Sequence, residues 1–393
     1  MPVYLDHAAT TPMRPEAIAA YTEAMGVVGN PSSIHSQGQQ ARRMLEEARE
    51  TVAATLGADP IEIVFTSGGT EAINLAVKGM YWARVDGGRR SRILAPGGEH
   101  HATLDTVEWL ERAEGARPDW LPLDRDGRIA VPAAIDGDDV ALLTFLAVNN
   151  EVGTVQPVAA LAAVARAAGV PVHVDAVAAY GHLPLDFHAL GVDALSVSAH
   201  KIGGPVGIGA LVLSRASTVV PLLHGGGQQR QVRSGTQDVA AAVSFAVAAR
   251  AAEAEREEET ARLTALRDRL IRGVREAVPE AVLSGPEPAS GKRVASNAHF
   301  TFPGAQGDSL LFLLDMAGVS VSTGSACQAG IPEPSHVLLA MGRTEEEARS
   351  ALRFTLGRTS TEADVDALLA ALPAAFAQAS RAGLAERPTR LAR

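Results

Sequence analysis

The 393-residue chain has one cysteine, Cys327, and only three lysines, Lys78, Lys201 and Lys292, among 35 basic residues. A single cysteine excludes an internal disulfide framework and any cysteine-rich metal site, and it accords with a reducing compartment. No run approaches the ~18 apolar residues that a membrane-spanning helix needs, so no membrane partner is expected. The net charge is −10 and no basic cluster of the kind that tracks a polynucleotide is present, so no direct nucleic-acid partner is expected. The opening "MPVYLDHAATTPMRPEA" lacks a charged segment followed by an apolar one, so no secretory leader is expected. Hydrophobic residues make up 47% and charged residues 20%, as in an ordinary globular protein. A chain of this length predicts two or three domains around a large core. A cytoplasmic enzyme is the expectation.

The shortage of lysine has a chemical side. Where arginine supplies nearly every basic position, a retained lysine is a candidate for amine chemistry, because arginine does not give up its proton. Lys78 and Lys292 read as solvated side chains; Lys201, in "SVSAHKIGGPVGIGALVL", follows a strand and precedes glycines. The lone thiol sits in "VSVSTGSACQAGIPEPSH", where a strand ends and a Pro-rich stretch follows. A free cysteine is often an inert small core residue. Here its Gly, Ser and Ala neighbours argue for exposure, and so for reactivity.

From about residue 39 to 215 the chain alternates helix and strand. "QQARRMLEEARETVAATLG" reads as an amphipathic helix, "IEIVFTS" (61–67) as a strand, and the segment from Thr70 as a helix. "SRILAP", "DVALLTFLA", "VPVHVDA", "VDALSVS" and "IGALVLS" read as further strands, with helices between most of them. Such alternation predicts a mostly parallel sheet covered by helices. Residues 238–278 read as nearly all helix, apolar at first and solvated after about Glu253, placed to bridge two domains. The short strands and helices beyond it predict a smaller α+β domain.

Ligands bind beyond the carboxyl ends of strands in such sheets, and several polar residues fall there. Ser67-Gly68-Gly69-Thr70 closes a strand and opens a helix; it suits a phosphate, or is a plain glycine turn with Thr70 as cap. Asp175 ends a very apolar strand, where a buried carboxylate needs a cation or N–H partner: an arginine, or a pyridinium nitrogen. Lys201 in a desolvated pocket can form a Schiff base. The glycines around it spell neither GxxxxGK[ST] nor GxGxxG, so a nucleotide site is not indicated. "HGGG" (224–227) resembles an oxyanion loop, yet no GxSxG elbow accompanies it. His100, between a strand end and a helix, is structural or stacks on a planar group. Arg353, inside a strand-like run, serves a carboxylate clamp or a salt bridge at a core edge. Taken together, the set is the one a pyridoxal phosphate (PLP) enzyme requires.

At this point the chain resembles a family. "YLDHAATTP", "GNPSSIHSQGQQAR", "FTSGGTEAINLA", "EHHATLD", "NNEVGTVQP", "HVDAV", "SVSAHKIGGPVGIGAL", "HGGGQQRQVRSGT", "VSTGSACQAG" and "LRFTLGR" occur in the order seen in cysteine desulfurases of the NifS/IscS type. These belong to the class V aminotransferase group of PLP fold-type I enzymes, and the loop after Cys327 resembles their IscS-like branch. The resemblance implies a large domain over 15–255, with a mostly parallel seven-stranded sheet flanked by helices, and a small domain of 1–14 and 256–393 carrying Cys327. It implies that Lys201 holds PLP, that Asp175 keeps the pyridine nitrogen protonated, and that His100 stacks on the ring. Gly69, Thr70, Ser198 and His200 would bind the phosphate, with Thr236 from the partner of a homodimer. Asn150 would bond near the ring oxygen and the substrate, Arg353 would clamp the substrate carboxylate, and Cys327 would take the sulfur of L-cysteine for an acceptor protein. Selenocysteine lyases and other class V enzymes are the runner-up.

The chain departs from the family at Ala178, where a glutamine usually donates to the ring oxygen, at Thr323, where serine is common, and in its short ending, "AERPTRLAR". Losing one hydrogen bond is worth ~1 kcal/mol, which alters the bound cofactor more than it weakens binding. The absorbance of the bound cofactor should therefore titrate at a pH different from that of an Ala178→Gln variant, and coincident titration curves would refute this.

Overall fold

The computed structural model describes residues 2–85, 88–324 and 333–385. After β1 (Val3–Tyr4) come helices α1 (Pro15–Met25) and α2 (Ser36–Thr55). The alternation that the hydrophobic pattern predicts then follows: β2 (Ile63–Thr66), α3 (Gly69–Arg84), β3 (Arg92–Pro96), α4 (His101–Glu114), β4 (Arg117–Leu121), β5 (Val140–Leu146), α5 (Val158–Ala167), β6 (Val172–Asp175), α6 (Phe187–Leu190), β7 (Ala194–Ser198) and β8 (Gly209–Leu213). These strands form one seven-stranded sheet in the order β2-β8-β7-β6-β5-β3-β4. From β7 to β4 every pairing is parallel, and β8 runs against both of its neighbours. The expected α/β architecture is what the chain adopts.

Strands β5 to β8 are buried along their whole length, so they read as mostly apolar runs rather than as a regular apolar–polar alternation. The edge strand β4, "RPDWL", gave no such signal: it is half exposed and carries a proline, as edge strands do. The strand expected over 61–67 begins only at Ile63, because Pro60–Glu62 forms a 3₁₀ turn closed by Asp59 and Glu62 capping each other's backbone.

The long helix α7 (Val239–Ala277) differs from its expected form. Its first half buries Ala241, Phe245 and Ala249 in the core beneath the sheet. Its charged second half does not simply end in solvent: Leu263, Leu266, Leu270 and Val274 keep an apolar stripe at helical spacing, buried in a second core. That core is closed by β9 (Val282–Leu283), β10 (Asn297–Thr301), α8 (Gly307–Met316), β11 (Val319–Ser320), β12 (Ala351–Thr355) and α11 (Glu362–Ala385), while α9 (His336–Ala340) and α10 (Glu345–Arg349) pack Val337, Leu338 and Ala348 in a small separate cluster with Val152. The second sheet runs β12-β10-β9, antiparallel throughout, and β1 pairs in parallel with β11. The N-terminal strand thus packs with the far end of the chain, and Leu5 is buried in the second core. No helix among the described residues is long and apolar enough to cross a membrane.

One backbone contact shapes the edge of the sheet where a ligand would lie. Gly209 starts β8 between Thr66 of β2 and Ser198 of β7. A Cβ at Gly209 would meet the Val197 carbonyl oxygen at 2.5 Å and the Gly68 carbonyl carbon at 2.8 Å, both backbone atoms that cannot rotate away. Gly209→Ala should therefore destabilise the protein by about 1–3 kcal/mol. The check is the midpoint of urea unfolding followed by far-UV circular dichroism, and an unchanged midpoint would show that the turn gives way freely.

Candidate active site

The carboxyl ends of β2, β3, β5, β6 and β7 open on one cavity of about 410 Å³, which the second sheet closes from the other side. Gly69, Thr70, His100, Asn150, Asp175, Ser198, His200, Lys201 and Arg353 all line it. The fold thus gathers residues that stand up to 284 positions apart in the chain, from Gly69 to Arg353.

Several of these residues are positioned by the turns that follow the strands. After β2, Gly68 takes φ +152°, which side-chain-bearing residues rarely adopt, and Gly69 opens α3. A Cβ at Gly69 would lie 2.8 Å from Val177 Cγ2, so the start of α3 is cradled against the turn that follows Asp175. The free N–H groups of this helix start, the exposed Thr70 and the buried Ser198 border the same corner of the cavity. After β3, His100 caps α4: its Nδ1 accepts the Ala102 N–H at 3.0 Å, which leaves the ring proton on Nε2. Burial, then the Lys201 charge, push His100 down to about 4, so the ring is neutral at physiological pH. His200, whose Nδ1 is 3.1 Å from Thr10 Oγ1, is held down to about 4 by burial and then by the same charge.

Asp175 is 2% exposed. Burial pushes its carboxyl up to about 6, against the pull of the Val177 N–H on Oδ1 at 2.9 Å and of the Lys201 charge. Beside it, the buried His173 is satisfied by Thr144 Oγ1 and Ser196 Oγ, each at 2.8 Å, and burial holds it neutral, down to about 3. Lys201 ends a 3₁₀ turn after β7, and its Nζ donates to the carbonyls of Ala8 and of Ala9, the latter at 2.9 Å.

From the second sheet, Arg353 of β12 reaches into the cavity and is nearly buried. Its Nη1 donates to the Asn150 carbonyl at 2.9 Å and its Nη2 to Asp6 Oδ1 at 2.8 Å. The salt bridge entertained for this arginine therefore exists, and it lies inside the cavity.

Thr236 is exposed and does not line the cavity of its own chain. Cys327 lies outside the described residues; Gly324, three positions before it, lines the cavity wall. Past that segment, Ser335 Oγ donates to Glu151 Oε2 at 2.5 Å, and His336 Nε2 is 2.8 Å from the Glu99 carbonyl, next to His100. Sequence reasoning missed Asp6, His7 and Asn149, all of which line the cavity. Asp6 stood within a quoted motif, but its partner is 347 residues away.

A family model described as Aminotransferase class-V matches residues 3–368. An IscS-like cysteine desulfurase of Mycobacterium tuberculosis (strain ATCC 25618 / H37Rv) is 54% identical over 387 residues, which is 97% of this chain and 98% of that one. The cysteine desulfurase IscS of Dictyoglomus turgidum is 42% identical over 368 residues, 93% of this chain and 92% of that one. Among solved structures, a NifS-like protein superposes with a TM-score of 0.88 at 34% identity, over 96% of this chain and all of that one.

The buried carboxylate carries a pH signature. The unfolded chain gives up the Asp175 proton near the ordinary 3.8 and the folded, cofactor-free chain only near 6, so the group costs stability as pH rises between the two. Above that window the cost is about 2–3 kcal/mol. Asp175→Asn should therefore stabilise the cofactor-free protein at pH 7 and leave it unchanged at pH 4. Urea unfolding at the two pH values checks this, and a gain equal at both would contradict it.

Proposed function

The chain belongs to the class-V aminotransferase family, and from that membership we infer that it is a PLP-dependent cysteine desulfurase, which takes sulfur from L-cysteine and leaves L-alanine. Relatives that match nearly the whole chain bear the name cysteine desulfurase, which favours this reading over selenocysteine lyase or another class V reaction. The observation that carries it is one cavity holding the Lys201 amine, the buried Asp175 carboxylate and the Arg353 guanidinium, with Gly324 of the cysteine-bearing segment on its wall.

The residues present fit PLP. Asp175 is a buried acid held well above its ordinary range, which calls for a cation such as a protonated ring nitrogen. The glycine turn into α3 leaves helix-start N–H groups facing the corner where a phosphate would sit. Bound there, PLP supplies an electron sink for a carbon that loses its proton.

The chain's own residues then have these roles. Lys201 Nζ would hold the cofactor, and its amine is the base that would take the proton from the substrate's α-carbon. Asp175 keeps the ring nitrogen protonated. The neutral His100 ring would stack on the cofactor, and its Nε2–H is the donor it offers. Gly69, Thr70, Ser198 and His200 hold the phosphate, with Thr236 reaching over from the partner subunit of a homodimer. Asn150 and Arg353 bind the substrate, the arginine through the α-carboxylate. The Cys327 thiolate would form an S–S bond to the substrate sulfur as the Cβ–S bond breaks, and Cβ and then Cα would take a proton each to give L-alanine. Cys327 is left with a persulfide for an acceptor protein, in iron–sulfur cluster assembly, tRNA thiolation or a related pathway.

Residues 15–255 form the cofactor-binding unit, and 1–14 with 256–393 the unit that carries Cys327 and Arg353; the change of core along α7 supports this division. The working compartment is the cytoplasm.

After incubation of the PLP-loaded protein with L-cysteine, mass spectrometry should find one extra sulfur atom on Cys327, and none in Cys327→Ser. Lys201→Ala should lower turnover by about 10²–10⁴-fold. An unmodified Cys327 with the cofactor in place would count against the desulfurase reading.

A further inference from the structure

Arg353 is held on every side. Its backbone exchanges hydrogen bonds with Ser322, at 2.7 and 3.2 Å, and faces His299 across β10. Its guanidinium already has a counter-ion, Asp6, 2.8 Å from Nη2; the side chains are 6% and 20% exposed, respectively. A second fork position is spent on the Asn150 carbonyl, and the buried Nε–H has no acceptor among the described residues. The arginine can take a further oxygen, but its charge is already offset.

The backbone around Asp6 is tied in place. Thr355 N donates to the Leu5 carbonyl at 2.7 Å, Ala8 N to Thr355 Oγ1 at 2.9 Å, and Tyr4 Oη to the Asp6 carbonyl at 3.0 Å. Asp6 thereby lies as a parallel bridge beside Thr355, two residues along β12 from Arg353. Two and three positions further on, the Ala8 and Ala9 carbonyls accept from Lys201 Nζ.

We propose, resting on the reading of Arg353 as the carboxylate anchor, that Asp6 is a specificity-determining residue: a fixed counter-ion that shares Arg353 with the substrate's α-carboxylate and holds down affinity for it. The physical reason is that substrate, transition state and product carry the same carboxylate. Binding it more tightly stabilises all three alike, which lowers KM without raising kcat and keeps L-alanine in the site. A resident carboxylate repels the incoming one across a single guanidinium, so orientation is retained while surplus affinity is removed.

The test uses the PLP-loaded protein. Asp6→Asn keeps an oxygen for Nη2 and removes the charge. By calorimetry its Kd for L-alanine should fall about tenfold, and its KM for L-cysteine should fall in parallel with no rise in kcat. With 2-aminoethanethiol, which has no carboxylate, KM should stay at the parent value. An unchanged Kd for L-alanine, or an equal shift with 2-aminoethanethiol, overturns the proposal. Should Asp6→Asn fail to fold, Asp6→Ser is read by the same criteria. Arg353→Gln separates the two layers. If it binds L-alanine as the parent does, the carboxylate-anchor reading falls and the Asp6 role with it. If it loses L-alanine while Asp6→Asn matches the parent, only the Asp6 role falls.

Discussion

The site depends on a four-residue segment near the start of the chain. Asp6 offers its carboxylate to Arg353, and Ala8 and Ala9 offer their carbonyls to Lys201. Two cations facing one cavity repel each other, and each needs acceptors before it can be held away from bulk water. Residues 6–9 supply acceptors to both. They can do so because the segment is laced to β12 by hydrogen bonds, and β1 just before it pairs with β11. A short segment outside the helices and strands thus joins the lysine that follows β7 to the arginine of β12.

Two histidines of the cavity add no charge to it. His100 and His200 are both pushed down by burial and by the Lys201 charge, so neither adds a positive charge at neutral pH. Asp175 is the opposite case: burial raises its carboxyl, and only a cation near it would bring the group back toward its ordinary range. The polar row of Thr144, His173 and Ser196 inside the sheet shows how costly such groups are elsewhere, since each ring nitrogen of His173 is matched by a hydroxyl. Asp175, by contrast, accepts the Val177 N–H and lines the cavity.

The long helix α7 supplies the mechanical frame. A helix whose buried stripe changes core midway ties the two sheets at a fixed spacing, so Arg353 and Lys201 face each other across one cavity. Arg14 adds to this join near the lysine: its Nε donates to the Ile202 carbonyl and its Nη2 pairs with Glu255 of α7 at 2.9 Å.

Much of this was legible in the amino-acid order. Buried strands announce themselves as apolar runs, turns as glycines, and the residues after each strand as candidates, because backbone sterics and burial act locally. Lys201 and Asp175 were therefore visible, and so was the alternation that makes the sheet. The edge strand β4 was not, since half-exposed residues leave no periodic mark, nor was the buried stripe in the second half of α7, which charges interrupt. What only the tertiary structure decided is pairing at long range: that Asp6 meets Arg353, that Ala8 and Ala9 meet Lys201, and that β1 lies on β11. No local pattern encodes such partners, because their contact energy exists only once both cores have closed and brought distant segments within hydrogen-bonding reach.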